Sequence, residues 1–221
     1  MIPCIIPARG GSRGIPHKNI VPVCGLPLIA WSIEQAIAAE CVDAVIVATD
    51  CDEIAAVAMH YRAQVFRRSA ESATDNAPSE AVLREVVQGR WTNAEAIVFL
   101  QATSPLRQCG EIDAAVQLLR KSQADSVFSA RQVVGYTWER RNGHVVPCHT
   151  RRPMRQADDV TRYEENGSIY VFRPEVLLEH NSRHGAKAVP YLMHPLDSFQ
   201  IDEPDDIPLV RMLMRLREVC Q

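Results

Sequence analysis

Short apolar runs alternate along this chain with longer segments of helical period. The run PCIIPA (3–8) is brief and β-branched, and is predicted to be a buried strand. DAVIVAT (43–49), EAIVFLQ (95–101), DSVFSA (125–130) and GSIYVF (167–172) read the same way, and AVPYLMH (188–194) and SFQID (198–202) as further strands. Between them lie amphipathic helices. They are LPLIAWSIEQAIAA (26–39, with Pro27 in its first turn), CDEIAAVAMHYR (51–62), PSEAVLREVVQG (78–89, closed by Gly89), GEIDAAVQLLRKS (110–122) and PEVLLEH (174–180). PDDIPLVRMLMRLREV (204–219) is expected to be a closing helix despite its early proline. This alternation predicts an α/β fold, a mostly parallel sheet with helices on both faces. The rhythm breaks at about 131–165, where a polar stretch with the turn signal RRNGH predicts a small inserted β-arm. The whole of 1–221 is read as one domain carrying that arm.

Composition changes this picture little. The chain has 221 residues, 47% of them hydrophobic and 23% charged, which is ordinary globular usage. Its apolar runs fall well short of the ~20 residues that span a bilayer, so no membrane association is expected and a cytoplasmic protein is. The seven cysteines (4, 24, 41, 51, 109, 148 and 220) are scattered without a C-x-x-C pair and read as reduced small apolar residues.

Charge is more informative. The net charge is -3, yet the first carboxylate is Glu34, and Arg9, Arg13, His17 and Lys18 precede it. ARGGSRG (8–14) follows the first predicted strand, where open parallel sheets bind ligands. Glycines there let backbone N–H groups wrap an anion, and the nearby cations neutralise it. The segment is therefore read as a polyanion site, most plausibly for a nucleotide triphosphate. It matches neither G-x-x-x-x-G-K-[ST] nor G-x-G-x-x-G. The negative net charge and merely local basic clusters argue against nucleic acid.

The stretch IIPARGGSRGIPHKNI (5–20) resembles the signature of the CMP-sialic acid synthetase family, cytidylyltransferases that activate nine-carbon acidic sugars. VATDCDEIA, RRSAESATDNAPS, LQATSPLR and ENGSIYVF resemble its further motifs in the same order, and SFQIDEPDD its closing metal motif. The resemblance implies a Rossmann-like nucleotidyltransferase sheet. It implies transfer of CMP from CTP to the anomeric hydroxyl of a sugar acid, with release of pyrophosphate. It assigns Ala8, Arg9, Gly10, Gly11, Ser12, Lys18 and Asn19 to the nucleotide, with Arg9, Lys18 and Asp202 as the catalytic set. Arg68, Ala77 and Ser79 match base-reading positions. Gln101, Asn166 and Arg155 are the expected sugar contacts, Arg155 through the sugar carboxylate. Ser104 and Arg107 are expected to hold their loop. Asp50, Asp75 and Ser79 also suit helix capping, and Asp50 equally a place near nucleotide or metal.

The chain departs from the family pattern at Arg13, where Lys is frequent, at His17, where Arg is frequent, and at three further points. Ala102 replaces a proline. Related sialic acid enzymes carry an arginine near Glu164, so a bacterial analogue such as a legionaminic-type sugar becomes an option. The commoner metal motif has aspartates at both 200 and 202, whereas this chain has Gln200 and Asp202. On a strand these would share a face. Asp202 is then the one expected carboxylate ligand of Mg²⁺, and an aspartate at 200 is expected to tighten the ion. A homodimer built through the arm is implied by the resemblance. Two other readings stay open: a same-fold nucleotidyltransferase for another base or sugar acid of Kdo type, and a non-catalytic nucleotide-sensing protein.

Overall fold

The computed structural model describes residues 1–221 except 13, 75–76, 134–136, 149–160 and 220–221, and the side chains of 217–219. Seven strands form the central sheet. They are β1 (Pro3–Pro7), β4 (Ala44–Thr49), β5 (Gln64–Arg67), β6 (Ile97–Leu100), β7 (Ser126–Gln132), β10 (Tyr163–Phe172) and β11 (Ala188–Leu192). Two short pairs lie outside it, β2 (Pro22–Val23) with β3 (Leu26–Pro27) and β8 (Trp138–Arg141) with β9 (His144–Pro147). The helices are α1 (Leu28–Ala38), α2 (Asp52–His60), α3 (Ser79–Val86), α4 (Glu111–Ser122), α5 (Pro174–His180) and α6 (Asp206–Val219).

The sheet order is β11-β7-β10-β6-β1-β4-β5, and β10 alone runs antiparallel, between β6 and β7. Alternation along the strands divides the core. Cys4 and Ile6 of β1 pack with Ile29 and Ile33 of α1, Ile54 of α2 and Val116 of α4 on one face. Ile5 packs with Leu83 of α3 and Leu177 of α5 on the other. The predicted sheet covered by helices on both faces is thus observed.

Chain direction reverses at β1. From β1 the chain steps outward to β4 and β5, then returns across to β6 on the far side of β1. The carboxyl ends of β1 and β6 therefore flank the crevice where sheets of this kind bind ligands. A third cluster closes its flank. Ile15 of the opening loop, Leu28, Leu106 and Ile201 pack against Val210 and Leu213 of α6. These contacts fix the opening loop and the segment before α6 to each other.

Two local expectations are corrected, and two short elements are added to those predicted. SFQID is not a strand of the sheet. Pro195–Ser198 forms a 3-10 turn, and the chain from Phe199 runs extended but unpaired, with Ile201 buried. Helix α3 does not stop at Gly89. It passes into a wide π turn over Val87–Trp91, which keeps both Val87 and Trp91 in the core. The β2–β3 hairpin turns on Cys24 (φ 48°) and Gly25 (φ 86°) and sets Pro27 just ahead of α1. The edge strand β5 has only four residues, two of them exposed. In the arm, RRNGH does make a hairpin, with Asn142 (φ 48°) and Gly143 (φ 81°) both left-handed.

Candidate active site

The opening loop leaves the sheet by a fixed route. The Ala8 N–H donates to the Ala48 carbonyl at 2.9 Å, and the Gly10 N–H to Asp50 Oδ1 at 2.9 Å. A Cβ on Gly10 would stand 2.9 Å from Cys51 Cβ, and one on Gly14 2.8 Å from the Asp202 carbonyl oxygen. Glycine is thus required at both positions by close packing. Gly11 is exposed with open space around it, and Ser12 is half-buried. Ile15 anchors the far side of the loop in the α6 cluster.

The candidate cations converge on this loop. Lys18 Nζ lies 3.0 Å from Asp202 Oδ1, with the lysine side chain 16% exposed and the aspartate 64%. Arg9 is half-buried, and its carbonyl accepts from Asn19 Nδ2 at 2.9 Å. Asn19 itself is buried, so its side chain braces Arg9 from within. Arg68 sits beside them. Burial pushes its guanidinium pKa down, the carboxylates of Asp50 and Glu85 pull it up, and the Arg9 charge pushes it down again. Arg9, Arg68 and Asp50 thus share one electrostatic neighbourhood. Arg68 Nη2 donates to the Ser72 carbonyl, and its Nε is buried without a protein partner. Glu85 ties the same loop, accepting from the Ser69 N–H at 3.3 Å and from the Ser72 hydroxyl at 3.0 Å.

Ala77 and Ser79 stand at the entry to α3. The Ala77 N–H donates to Thr74 O at 3.2 Å, and Ser79 opens the helix with Pro78 as its cap residue. Ser79 is therefore not the cap. Neither is Asp50, because Cys51 fills that place for α2 and Asp50 turns to Gly10 instead. Asp75 lies outside the described residues, as do Arg151, Arg152 and Arg155. His17 Nδ1 meets Glu53 Oε2 at 3.2 Å on the exposed surface.

The opposite wall begins at the end of β6. Gln101 and Gln200 converge on Gly167. A Cβ there would come within 2.6 Å of Gln101 Oε1 and would also strike Gln200, and Gly167 has φ +67°. Arg107 lies beneath, only 4% exposed. It donates to the Gln101 carbonyl at 2.5 Å, Ser168 O at 3.1 Å, Gln35 Oε1 at 2.7 Å and Ser32 Oγ at 3.0 Å. Desolvation lowers its pKa to about 10. One buried guanidinium thus fixes the end of β6, the bulge of β10 and α1 together. Asn166 is buried and engaged on both ends of its amide. Oδ1 accepts from the Ser129 hydroxyl at 2.5 Å and the Ser168 N–H at 3.2 Å, and Nδ2 donates to Ser198 Oγ at 2.9 Å and Met193 Sδ at 3.3 Å.

Gln200 is not placed to share an ion with Asp202. Its Nε2 donates to the Asn166 carbonyl, and its Oε1 accepts from Thr103 Oγ1 at 3.3 Å. Asp202 does not cap α6. The Asp206 carboxylate, in the first turn of α6, reaches back instead and accepts from the N–H groups of Asp202 (2.8 Å) and Glu203 (2.7 Å). The Asp202 carboxylate is left facing Lys18 and the opening loop.

One cluster escaped the sequence reading. Arg183, from the loop after α5, reaches Glu80 of α3 at 2.8 Å and Glu165 of β10 at 3.4 Å, and lies 4.5 Å above the Tyr170 ring. His184 Nε2 stands 3.4 Å from the other oxygen of Glu165, and the Tyr170 hydroxyl donates to Glu165. Burial and the Glu165 bond push the Tyr170 pKa up. Nothing in the run NSRHG signals this role.

A loop of glycines and cations at the reversal point of an α/β sheet, faced by the exposed carboxylates of Asp50 and Asp202, defines a nucleotidyltransferase-like crevice. The family model described as cytidylyltransferase matches residues 3–220, and the chain belongs to that family. It is 37% identical over 218 residues to N-acylneuraminate cytidylyltransferase A of Danio rerio, covering 94% of this chain and 49% of that protein. It is 31% identical to the CMP-N,N'-diacetyllegionaminic acid synthase of Legionella pneumophila, over 97% of this chain and 96% of that one. The chain thus spans about half the length of its vertebrate relatives and nearly all of the bacterial one. A solved CMP:2-keto-3-deoxy-manno-octonic acid synthetase complexed with CTP shares the fold, with TM-score 0.74, 18% identity and coverage of 98% of this chain and 99% of that one.

Proposed function

We propose that this chain transfers CMP from CTP to the anomeric hydroxyl of a nine-carbon sugar acid, releasing pyrophosphate. The observation that carries the reading is the meeting of Lys18 and Asp202 across the opening loop, at the carboxyl end of β1. The names of the sialic and legionaminic relatives support the sugar class. The opening loop N–H groups, Arg9 and Lys18 would take the charge that builds on the phosphate oxygens as the anomeric oxygen attacks. Arg68, Ala77 and Ser79 would read the cytosine edge. Gln101 would hold the sugar, with Arg155 on its carboxylate. Asn166 would act through its backbone, since its side-chain amide is already engaged.

Asp202 suits a hard divalent cation, and Mg²⁺ is the ion proposed. Among the described residues no group of three His, Cys, Asp or Glu gathers to hold a metal by protein ligands alone. The exposed Asp202 carboxylate beside the proposed triphosphate loop fits Mg²⁺, which keeps waters and phosphates as its remaining ligands. When bound, the ion would neutralise charge on the phosphate oxygens. The β-arm is proposed to pair two copies of the chain. Among the described residues no helix is long and apolar enough to cross a membrane, and the described cysteines are all free, which agrees with the proposed cytoplasmic setting.

Pyrophosphate release from CTP, measured with sialic, legionaminic, pseudaminic and Kdo acids in turn, tests the reading. Release with a nine-carbon acid and little with Kdo is expected. Release with none of them, or best with Kdo, overturns it.

A further inference from the structure

We propose that Asp50 makes nucleotide binding depend on a divalent cation, because its carboxylate sits as a built-in anion on the phosphate side of the opening loop. The inference rests on the nucleotide reading above. The Gly10 N–H, one of the amides expected to meet a phosphate, donates to Asp50 Oδ1 at 2.9 Å. Gly10 packs so closely on Cys51 that a Cβ there would stand 2.9 Å from Cys51 Cβ, which keeps this amide beside the start of α2 free of any side chain of its own. The Asp50 charge also acts on Arg68, so the carboxylate lies within reach of that cation.

Helix capping does not account for this carboxylate. Cys51 is the cap residue of α2, and the Cys51 N–H is taken by Thr49 Oγ1 at 3.1 Å. Nor does burial account for it, since Asp50 is exposed. Asp50 and Asp202 both place negative charge among groups that otherwise favour a polyanion, and Asp50 does so while bonded to a loop amide. A triphosphate entering this loop meets like charge at close range, which disfavours it unless a cation shields the two. A divalent cation brought with the nucleotide supplies that shielding. The same carboxylate therefore holds the loop in shape and rejects nucleotide that arrives without metal.

Asp50→Asn separates these two roles, since asparagine can still accept from Gly10 but carries no charge. Calorimetric titration of CTP into the whole chain, in chelator and in saturating MgCl₂, reads the effect directly without catalysis. Asp50→Asn is expected to bind CTP about fivefold or more tighter than the unmodified chain in chelator, and within about twofold of it in Mg²⁺. Uncharged cytidine should bind both proteins alike. Asp50→Ala, which also removes the acceptor, should gain less than Asp50→Asn. An equal gain in both conditions, no gain in chelator, or a loss in both overturns the coupling. If the unmodified chain binds CTP and Asp50→Asn merely matches it, only this inference falls. If the unmodified chain binds no CTP under either condition, the proposed function falls with it.

Discussion

Lys18 Nζ and Asp202 Oδ1 lie 3.0 Å apart although 184 positions separate them in the chain. The contact joins the opening loop to the segment before α6, and Gly14 against the Asp202 carbonyl makes that approach possible. Asp202→Asn keeps the shape but removes the charge that Asp202 is proposed to offer a metal. Turnover is expected to fall roughly a hundredfold or more, the scale of losing metal stabilisation of the transition state. Turnover against Mg²⁺ concentration checks this, and wild-type turnover at saturating Mg²⁺ would show the carboxylate to be dispensable.

Gln200 changes the expectation drawn from the commoner motif. Its Nε2 donates to the Asn166 carbonyl. Aspartate is shorter and, when ionised, cannot donate, so it would turn a carboxylate toward a carbonyl oxygen. Gln200→Asp is therefore expected to weaken the chain thermally and leave Mg²⁺ affinity no better. A tighter Mg²⁺ titration with an unchanged Tm would reverse that conclusion.

On the proposed reading, Arg9 and Arg68 divide the nucleotide between its phosphates and its base. Arg9→Ala should lower turnover by roughly two to three orders of magnitude with a native circular dichroism spectrum, as for loss of one oxyanion donor. Arg68→Ala should erode preference for CTP over UTP, because its unpartnered Nε is a buried donor close to the base-reading segment. Competition between the two nucleotides measures it, and an unchanged ratio in Arg68→Ala refutes the role.

Glu85 gives the site an acid limit. Burial alone would raise its pKa, but hydrogen bonds from Ser69 and Ser72 and the Arg68 charge bring it below the usual range. A carboxylate with a depressed folded pKa contributes its stability above its unfolded pKa of about 4.3 and loses it as pH falls through the folded value. Urea midpoints should therefore drop below about pH 4.5, and Glu85→Gln should flatten that slope. Identical slopes for the two proteins would remove Glu85 from the account.

Much of this arrangement was legible because local pattern decides it. β1, β4, β6 and β7 are apolar runs with no competing period, and RRNGH carries its turn in two residues. The site loops were legible as glycines and cations placed just past strands. What escaped was set by distant partners. β5 is four residues at an edge, with no alternation to read. SFQID alternates like a strand, but Ser198 is taken into a proline-led turn, and Ile201 is held by a bond from its N–H to the Thr103 carbonyl at 2.9 Å rather than by a ladder. Arg107 was legible as a loop brace, yet its reach to Ser32, Gln35 and Ser168 depends on the packing of α1 against β10. Asn166 looked like a sugar contact from its motif, and only the bulge in β10 shows its amide turned inward.

Arg183 and Glu80 offer the sharpest test of that long-range component. Their side chains are 20% and 17% exposed, and the pair ties the loop after α5 to the first turn of α3, one residue beyond Ser79. Arg183 also touches Glu165 at 3.4 Å, so removing the cation takes the guanidinium from two carboxylates, Glu80 and Glu165. Arg183→Met should therefore destabilise the chain by about 3 kcal/mol, the scale for orphaning a largely buried charge. Glu80→Gln should do less, because Arg183 keeps Glu165. The double variant should recover part of the loss, with a coupling of about 1–3 kcal/mol in a denaturant-based cycle. Because Ser79 is adjacent, Glu80→Gln should raise the KM for CTP more than it lowers kcat. A coupling indistinguishable from zero, with KM unmoved, would make the pair a surface contact with no hold on α3.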